Sequence, residues 1–228
     1  LLFFIKNGII NSPKYFYIMI VNGEKISAQI PNYNNIRILN RQNRYHIGGD
    51  FRGWSQALET VKIQDFKYYI FLNSTVRGPF IPRYIPNSMT WLELFTNKLT
   101  NKIKLVGPTV NYQTRFGFKP HIQSSFFCTD ITGLNLLIKN NIFTNFGFRR
   151  DDIIKNHELK ITKVILDDGY DFFAFQLSEN INHHKFVNGD IQYPEKYYGI
   201  TLNPLEIIFI KTNRINDSYV ERYTDFNS

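Results

Sequence analysis

One cysteine, Cys128, stands in 228 residues. An internal disulfide is therefore excluded, and so is a cysteine-rich metal site. Cys128 lies in the apolar run Phe126-Phe127-Cys128 and reads as a small buried hydrophobe. No apolar stretch approaches the roughly 18 to 20 residues that cross a bilayer. No signal-peptide pattern is visible either, and together with the single cysteine this points to the cytoplasm. Long Lys/Arg blocks are missing, which argues against a dedicated nucleic-acid tail. Repeats, low-complexity tracts and linkers are missing too, so residues 1–228 read as one domain. The chain begins at Leu1 rather than Met, as expected of a piece excised from a longer protein with neighbouring domains.

Aromatic side chains are abundant, with 21 Phe and 14 Tyr, enough to fill a sizeable core. The net charge of +8 suggests an anionic partner, and nucleic acid, a membrane surface or a phosphorylated small molecule would all qualify.

Along the chain, Leu1 to Ile10 reads as a helix broken by Pro13. Tyr15 to Val21 is a buried strand ending at the turn signal Asn22-Gly23, and Ile36 to Leu39 is a second strand. A helix opens at Trp54, with Trp54, Ala57, Leu58 and Val61 on one face. Tyr68 to Leu72 is the central strand, apolar and rich in aromatic and β-branched residues. This alternation of strand and helix favours a parallel α/β sheet. Further on come a helix from Trp91 to Leu99, a strand from Ile103 to Val106, and a loop from Asn111 to Pro120. Thr129 or Asp130 caps a helix carrying Leu134 and Leu137. Helical residues from Asp151 to Asp168 stop at Gly169. Tyr170 to Phe175 and Ile207 to Ile210 are further strands. Residues 215–228 read as a frayed polar tail.

The stretch most suggestive of chemistry is Asn73-Ser74-Thr75-Val76-Arg77-Gly78-Pro79, just past the central strand. Ligands of α/β sheets bind outside the carboxyl ends of strands. Asn and the hydroxyls supply directed hydrogen bonds, and Arg77 supplies a fork matched to phosphate. The plainer reading is an ordinary turn, because the same residues favour turns. Asn73-Ser74-Thr75 also spells a glycosylation acceptor, but a glycan there would block the cleft. Gly48-Gly49-Asp50 lies between a strand and a helix. Asp50 could take both hydroxyls of a ribose, with the glycines permitting close approach; alternatively it caps the helix. Glu158, beside His157 near a helix start, is also what the helix dipole alone would favour. His183-His184 reads as solvated, since a metal pair needs a third ligand.

Taken in order, these pieces resemble a glycosyltransferase of the GT-A fold, and the resemblance runs over most of the chain. The nearest likeness is to a branch of sugar transferases of algae, bacteria and large DNA viruses, related to rhamnan-synthesis-type enzymes. The segments that carry it are Gly48 with Asp50, Asn73 to Phe80, Trp91, Leu105-Val106-Gly107, His121 to Ser124, Glu158, Pro204-Leu205-Glu206 and Phe209 to Arg214. The resemblance implies an α/β, Rossmann-like mixed sheet flanked by helices. It also implies sugar transfer, hexosyl or deoxyhexosyl, from a nucleotide-sugar donor to a hydroxyl of a glycan or glycoconjugate, with inversion. Asn22, Gly49 and Asp50 would take the nucleoside. Asn73, Ser74, Thr75, Arg77 and Lys211 would take the diphosphate. Glu158 would be the general base, and Trp91 and His121 would face the acceptor.

Two positions depart from the family pattern. Most GT-A enzymes carry an Asp-x-Asp that holds Mn²⁺ or Mg²⁺; here the place reads Asn73-Ser74-Thr75. His46 stands where the family has Asn. The rival reading is a non-catalytic GT-A-like domain that binds nucleotide or glycan.

Overall fold

The computed structural model describes residues 1–26, 28–41, 48–111, 120–147, 149–176 and 190–226. In chain order the first half holds α1 (Leu2–Asn7), β1 (Tyr17–Val21), β2 (Ile36–Asn40), α2 (Gly49–Glu59), β3 (Tyr68–Leu72), β4 (Val76–Arg77), α3 (Trp91–Thr96) and β5 (Ile103–Gly107). Then follow β6 (Val110–Asn111), β7 (His121–Ile122), β8 (Phe126–Asp130), α4 (Ile131–Lys139), α5 (Arg150–Ile153), α6 (Leu159–Asp167) and β9 (Asp171–Ala174). The chain closes with α7 (Pro204–Ile207), β10 (Ile210–Lys211) and α8 (Asp217–Phe226). Between α5 and α6 the helix continues through a π-helical turn, Ile154–Glu158.

The apolar run at Tyr68 forms β3, but at the edge of its sheet rather than the centre. The sheet order is β3-β8-β5-β9. β8 is antiparallel to both β3 and β5, and β9 is parallel to β5. Three strands thus run one way and β8 runs against them. The wholly parallel sheet that the alternation favours is not what forms. Among the described residues no helix intervenes between β5 and β8, and antiparallel neighbours need no helical crossover. β1 and β2 make a separate parallel pair.

Both faces of the four-stranded sheet are buried. Tyr69, Phe71, Leu105 and Phe127 face a cluster that includes Phe51 and Trp54 of α2, Leu134 of α4 and Ile161 of α6. Val106, Phe126 and Cys128 face the opposite way, against Trp91 and Phe95 of α3 and Phe209. This is the period-two alternation of a strand with a layer on each side. The aromatic wealth of the sequence is spent here: Phe71 stacks on Phe127 at 4.6 Å and on Phe143 at 5.2 Å.

Local chemistry sets the helix ends. Thr90 and Glu93 form a capping box at α3, satisfying two otherwise orphaned backbone donors. Asp130, rather than Thr129, caps α4 by accepting from Gly133 N at 2.9 Å. Gly169, at φ +82°, follows the end of α6. α2 begins five residues before Trp54. Gly48, in the left-handed region at φ +77°, turns the chain into it without a side-chain cap, and Phe51 extends the buried face. The tail expected to fray forms α8 instead. Its Val220 is fully buried, and Tyr219 donates to Leu202 O at 3.2 Å.

Phe127 is fully buried between Phe71 and Trp54. Phe127→Ala removes a ring that no neighbour can replace, and should cost about 3–5 kcal/mol. Urea unfolding monitored by circular dichroism would measure the loss; a change below about 1 kcal/mol would contradict this packing.

Candidate functional site

The polarity of the sheet gathers the site. β3 ends at Leu72, which pairs with Phe126 at the beginning of β8. Residues just after β3 and just before β8 therefore meet at one edge. Asn73 N donates to Ser125 O at 3.0 Å across that edge.

Asn73 is tied on both sides of its amide. Its Oδ1 accepts from Thr75 N at 3.0 Å and from Thr75 Oγ1 at 2.6 Å. That is turn chemistry, as the plainer reading holds. Its Nδ2 then donates to Asp50 Oδ2 at 2.9 Å, which turn formation does not require. Asp50 sits in the first turn of α2 without making the cap hydrogen bond. Its carboxylate faces Asn73. Gly49 lies beside it at φ +50°, with no neighbour within 4 Å of where a Cβ would stand. Ser74 is exposed.

Asn22 and Arg41 follow the ends of β1 and β2. Arg41 Nη1 donates to Asn22 Oδ1 at 2.7 Å, and Nε to Gln56 Oε1 at 2.5 Å. Burial and Arg52 push the Arg41 guanidinium below its ordinary range, and Asp50 acts in the opposite direction. Arg41 therefore connects Asn22 electrostatically to Asp50.

Glu158 closes the π-helical turn, inside a helical run that starts at Arg150. It is not at a free helix N-terminus, so the dipole does not account for it. Single π-turns inside α-helices frequently mark functional positions. Burial pushes the Glu158 carboxyl above the usual carboxylate range. A hydrogen bond from Ser124 and the charge of Lys211 oppose that rise, and Asp50 adds to it.

Lys211 reaches this group by strand pairing. In the β4–β10 pair Lys211 stands opposite Val76, and Ile210 opposite Arg77. Residues directly opposite share a face, and neighbours along a strand alternate. Lys211 and Arg77 consequently point to opposite faces. The charges of Asp190, Arg214, Glu158 and Arg150 all act on the Lys211 ammonium. Arg77, expected on the diphosphate, turns toward α8 and donates to Thr224 Oγ1 at 3.3 Å. Burial lowers the Lys211 ammonium below the usual lysine range.

Of the two acceptor-side expectations, Trp91 belongs to the core cluster on the α3 face of the sheet. Trp91 is 2% exposed, and its indole N–H donates to Gly8 O at 2.8 Å. It is a core residue, because it starts a helix packed on the sheet. His121 is buried on β7, three residues before Ser124. His46, His183, His184 and residues 112–119 of the aromatic loop lie outside the described residues.

Reading the residues as a string does not single out Ser124, Arg41, Arg150, Asp190 or Gln192 as members of the site. Arg41 had a usable signal, since it follows β2 as Asn22 follows β1. Asp190 and Gln192 had none. They enter through a buried chain of hydrogen bonds. Gln192 Nε2 donates to Thr109 Oγ1 at 2.9 Å, Thr109 to Gln123 Oε1 at 2.8 Å, and Gln123 Nε2 to Asp190 Oδ1 at 2.9 Å. Among the described residues no group of three or more His, Cys, Asp or Glu could hold a metal ion.

The family model for Rhamnan synthesis protein F matches residues 18–219. The chain belongs to that family. It is a glycosyltransferase-related family, and the match spans every residue of the cluster at the strand ends. Neither a curated protein nor a solved structure matches the chain. Among the described residues no helix is long and apolar enough to cross a membrane.

His157, next to Glu158, gives a pH prediction. It is 1% exposed, with Nδ1 against Ile142 O at 2.8 Å, and it lies between the rings of Phe51 and Phe146. Among the described residues its Nε2 has no hydrogen-bond partner. Burial holds its pKa below that of an ordinary histidine. The unfolded chain therefore takes up a proton near pH 6.5 while the folded protein resists it. The stabilisation is complete above about pH 6.5 and is lost as pH falls below it. Between pH 7.5 and 5.5 the melting temperature should fall more steeply in the native protein than in His157→Phe. Parallel curves would rule out this titration.

Proposed function

We propose that this protein transfers a sugar, hexosyl or deoxyhexosyl, from a nucleotide-sugar to a hydroxyl of a glycan or glycoconjugate, with inversion, on a GT-A-type fold. The family supports the reaction class and points to rhamnose-related transfer. The observation that carries the reading is Glu158. It is a half-buried carboxylate on a π-turn, held by Ser124 and opposed by Lys211, at the strand ends where Asn73 meets Asp50. A general base works best when its pKa lies near the working pH, and burial moves Glu158 that way. Asp50, Gly49 and Asn22 take the nucleoside, with Arg41 holding Asn22. Asn73, Thr75 and Lys211 lie on the diphosphate side. Arg77 supports the loop from its far face.

The Mn²⁺ or Mg²⁺ that a GT-A resemblance implies does not fit the residues present. Asn73 Oδ1 already accepts two hydrogen bonds from Thr75, and Asp50 is the one carboxylate in contact with Asn73 among the described residues. Hard divalent cations prefer several oxygens with carboxylate charge. No step of this reading runs through a metal. The self-bonded Asn73–Thr75 turn also favours a second reading, in which the cleft binds nucleotide or glycan without transfer.

Glu158→Gln keeps shape and removes the base. Transfer from nucleotide-sugars should fall by at least about 100-fold. The thermal shift given by the donor should persist. Turnover within a few-fold of the native rate would remove Glu158 as base. Donor-induced stabilisation with no transfer by the native protein would select the binding-only reading.

A further inference from the structure

We propose that Lys211, supported by Arg214, is the cation that receives the departing diphosphate, so that transfer proceeds without a divalent metal. This rests on the transferase reading above.

The placement is built rather than incidental. β10 pairs with β4 so that Lys211 lies opposite Val76. The next residue, Thr212, donates from N at 2.8 Å and from Oγ1 at 3.1 Å to Thr75 O. Lys211 is thereby fastened to the Asn73–Thr75 turn. Its backbone N–H donates to Gln192 Oε1 at 3.3 Å. Gln192 and Thr109 are each 2% exposed, and their chain of hydrogen bonds ends on Asp190. Asp190 Oδ2 in turn accepts from Arg214 Nε at 3.4 Å, and Arg214 stacks over Tyr193 at 5.1 Å. One polar network thus holds the backbone of Lys211 and the side chain of Arg214. Arg150 adds a positive charge acting on Glu158 alongside that of Lys211. Neutral Asn73 stands where a metal site would need negative charge.

The charge movement in the reaction suits this arrangement. The bond from the anomeric carbon to the diphosphate oxygen breaks, and its electron pair leaves with that oxygen. The acceptor oxygen bonds to the same carbon, and its proton passes to Glu158. The diphosphate gains one negative charge as Glu158 loses one. Lys211 stays protonated throughout, beside a diphosphate whose negative charge rises by one as the bond breaks.

Inorganic pyrophosphate is the probe, because it carries the chemistry shared by all nucleoside diphosphates. Calorimetry on the full chain should show binding in EDTA that excess Mg²⁺ does not tighten. Lys211→Met should weaken it about tenfold or more, the size of a lost charge-assisted hydrogen bond. Lys211→Arg should restore most of it, which separates charge from folding if the methionine variant is unstable. Binding that requires Mg²⁺, binding indifferent to Lys211→Met, or no binding under either condition would each overturn the proposal. Failure of the transferase reading looks different. EDTA-resistant, Lys211-dependent binding, in a protein that transfers no sugar, overturns the leaving-group role and leaves an anion-binding cleft.

Discussion

Strand β8 runs against both of its neighbours and is buried on both faces. Its amino end therefore lies beside the carboxyl end of β3, and that juxtaposition assembles the site. Asn73 leaves β3 and bonds across to Ser125, and Ser124 next to it holds Glu158. Had β8 run parallel to β3, Ser124 and Asn73 would lie at opposite ends of the sheet. The large rings that fix β8 do so by alternation: Phe127 packs on Phe71 and Trp54, while Phe126 packs on Phe95 and Phe209. A slip of one residue would exchange these faces and strand both sets.

Around that edge the site is a balance of charges in a partly dry setting. Glu158 and Asp50 repel each other electrostatically, and Lys211 offsets the repulsion. Arg214 is held off by Asp190, so its position does not depend on Glu158. Taken out of water, each of these groups would be costly alone; the Gln192–Thr109–Gln123 chain satisfies the Lys211 backbone N–H and the Asp190 carboxylate, while Ser124 and Asn73 bond Glu158 and Asp50. Glycine permits a close approach beside the site. A Cβ on Gly78 would lie 2.5 Å from Ile208 O, so only glycine lets the loop after β4 pass next to the segment leading into β10.

Part of this was legible in the residues. The runs at Tyr68, Ile103 and Phe126 are strands, and the caps at Thr90 and Asp130 follow from local hydrogen bonding alone. Glu158, Asp50, Asn73 and Lys211 were singled out and do come together. Trp91 misled because an aromatic beside a polar loop looks the same whether it serves a ligand or the core. The tail misled because its polar residues hide Val220 and Tyr219, which are spaced to dock a helix only when Leu202 is there to receive them.

Composition and pattern by themselves determined that the chain folds around aromatic strands, forms no internal disulfide and offers polar, phosphate-suited residues past a buried strand. These are properties of neighbours in sequence, set by propensity, periodicity and turn chemistry. Tertiary structure alone decided strand direction, and with it which polar residues share a face. Arg77 and Lys211 are both cations flanking the same pair of strands, yet opposite registers of a two-residue pairing send one to α8 and the other to Glu158. That choice depends on contacts between residues more than 130 positions apart in the chain, which no local pattern encodes.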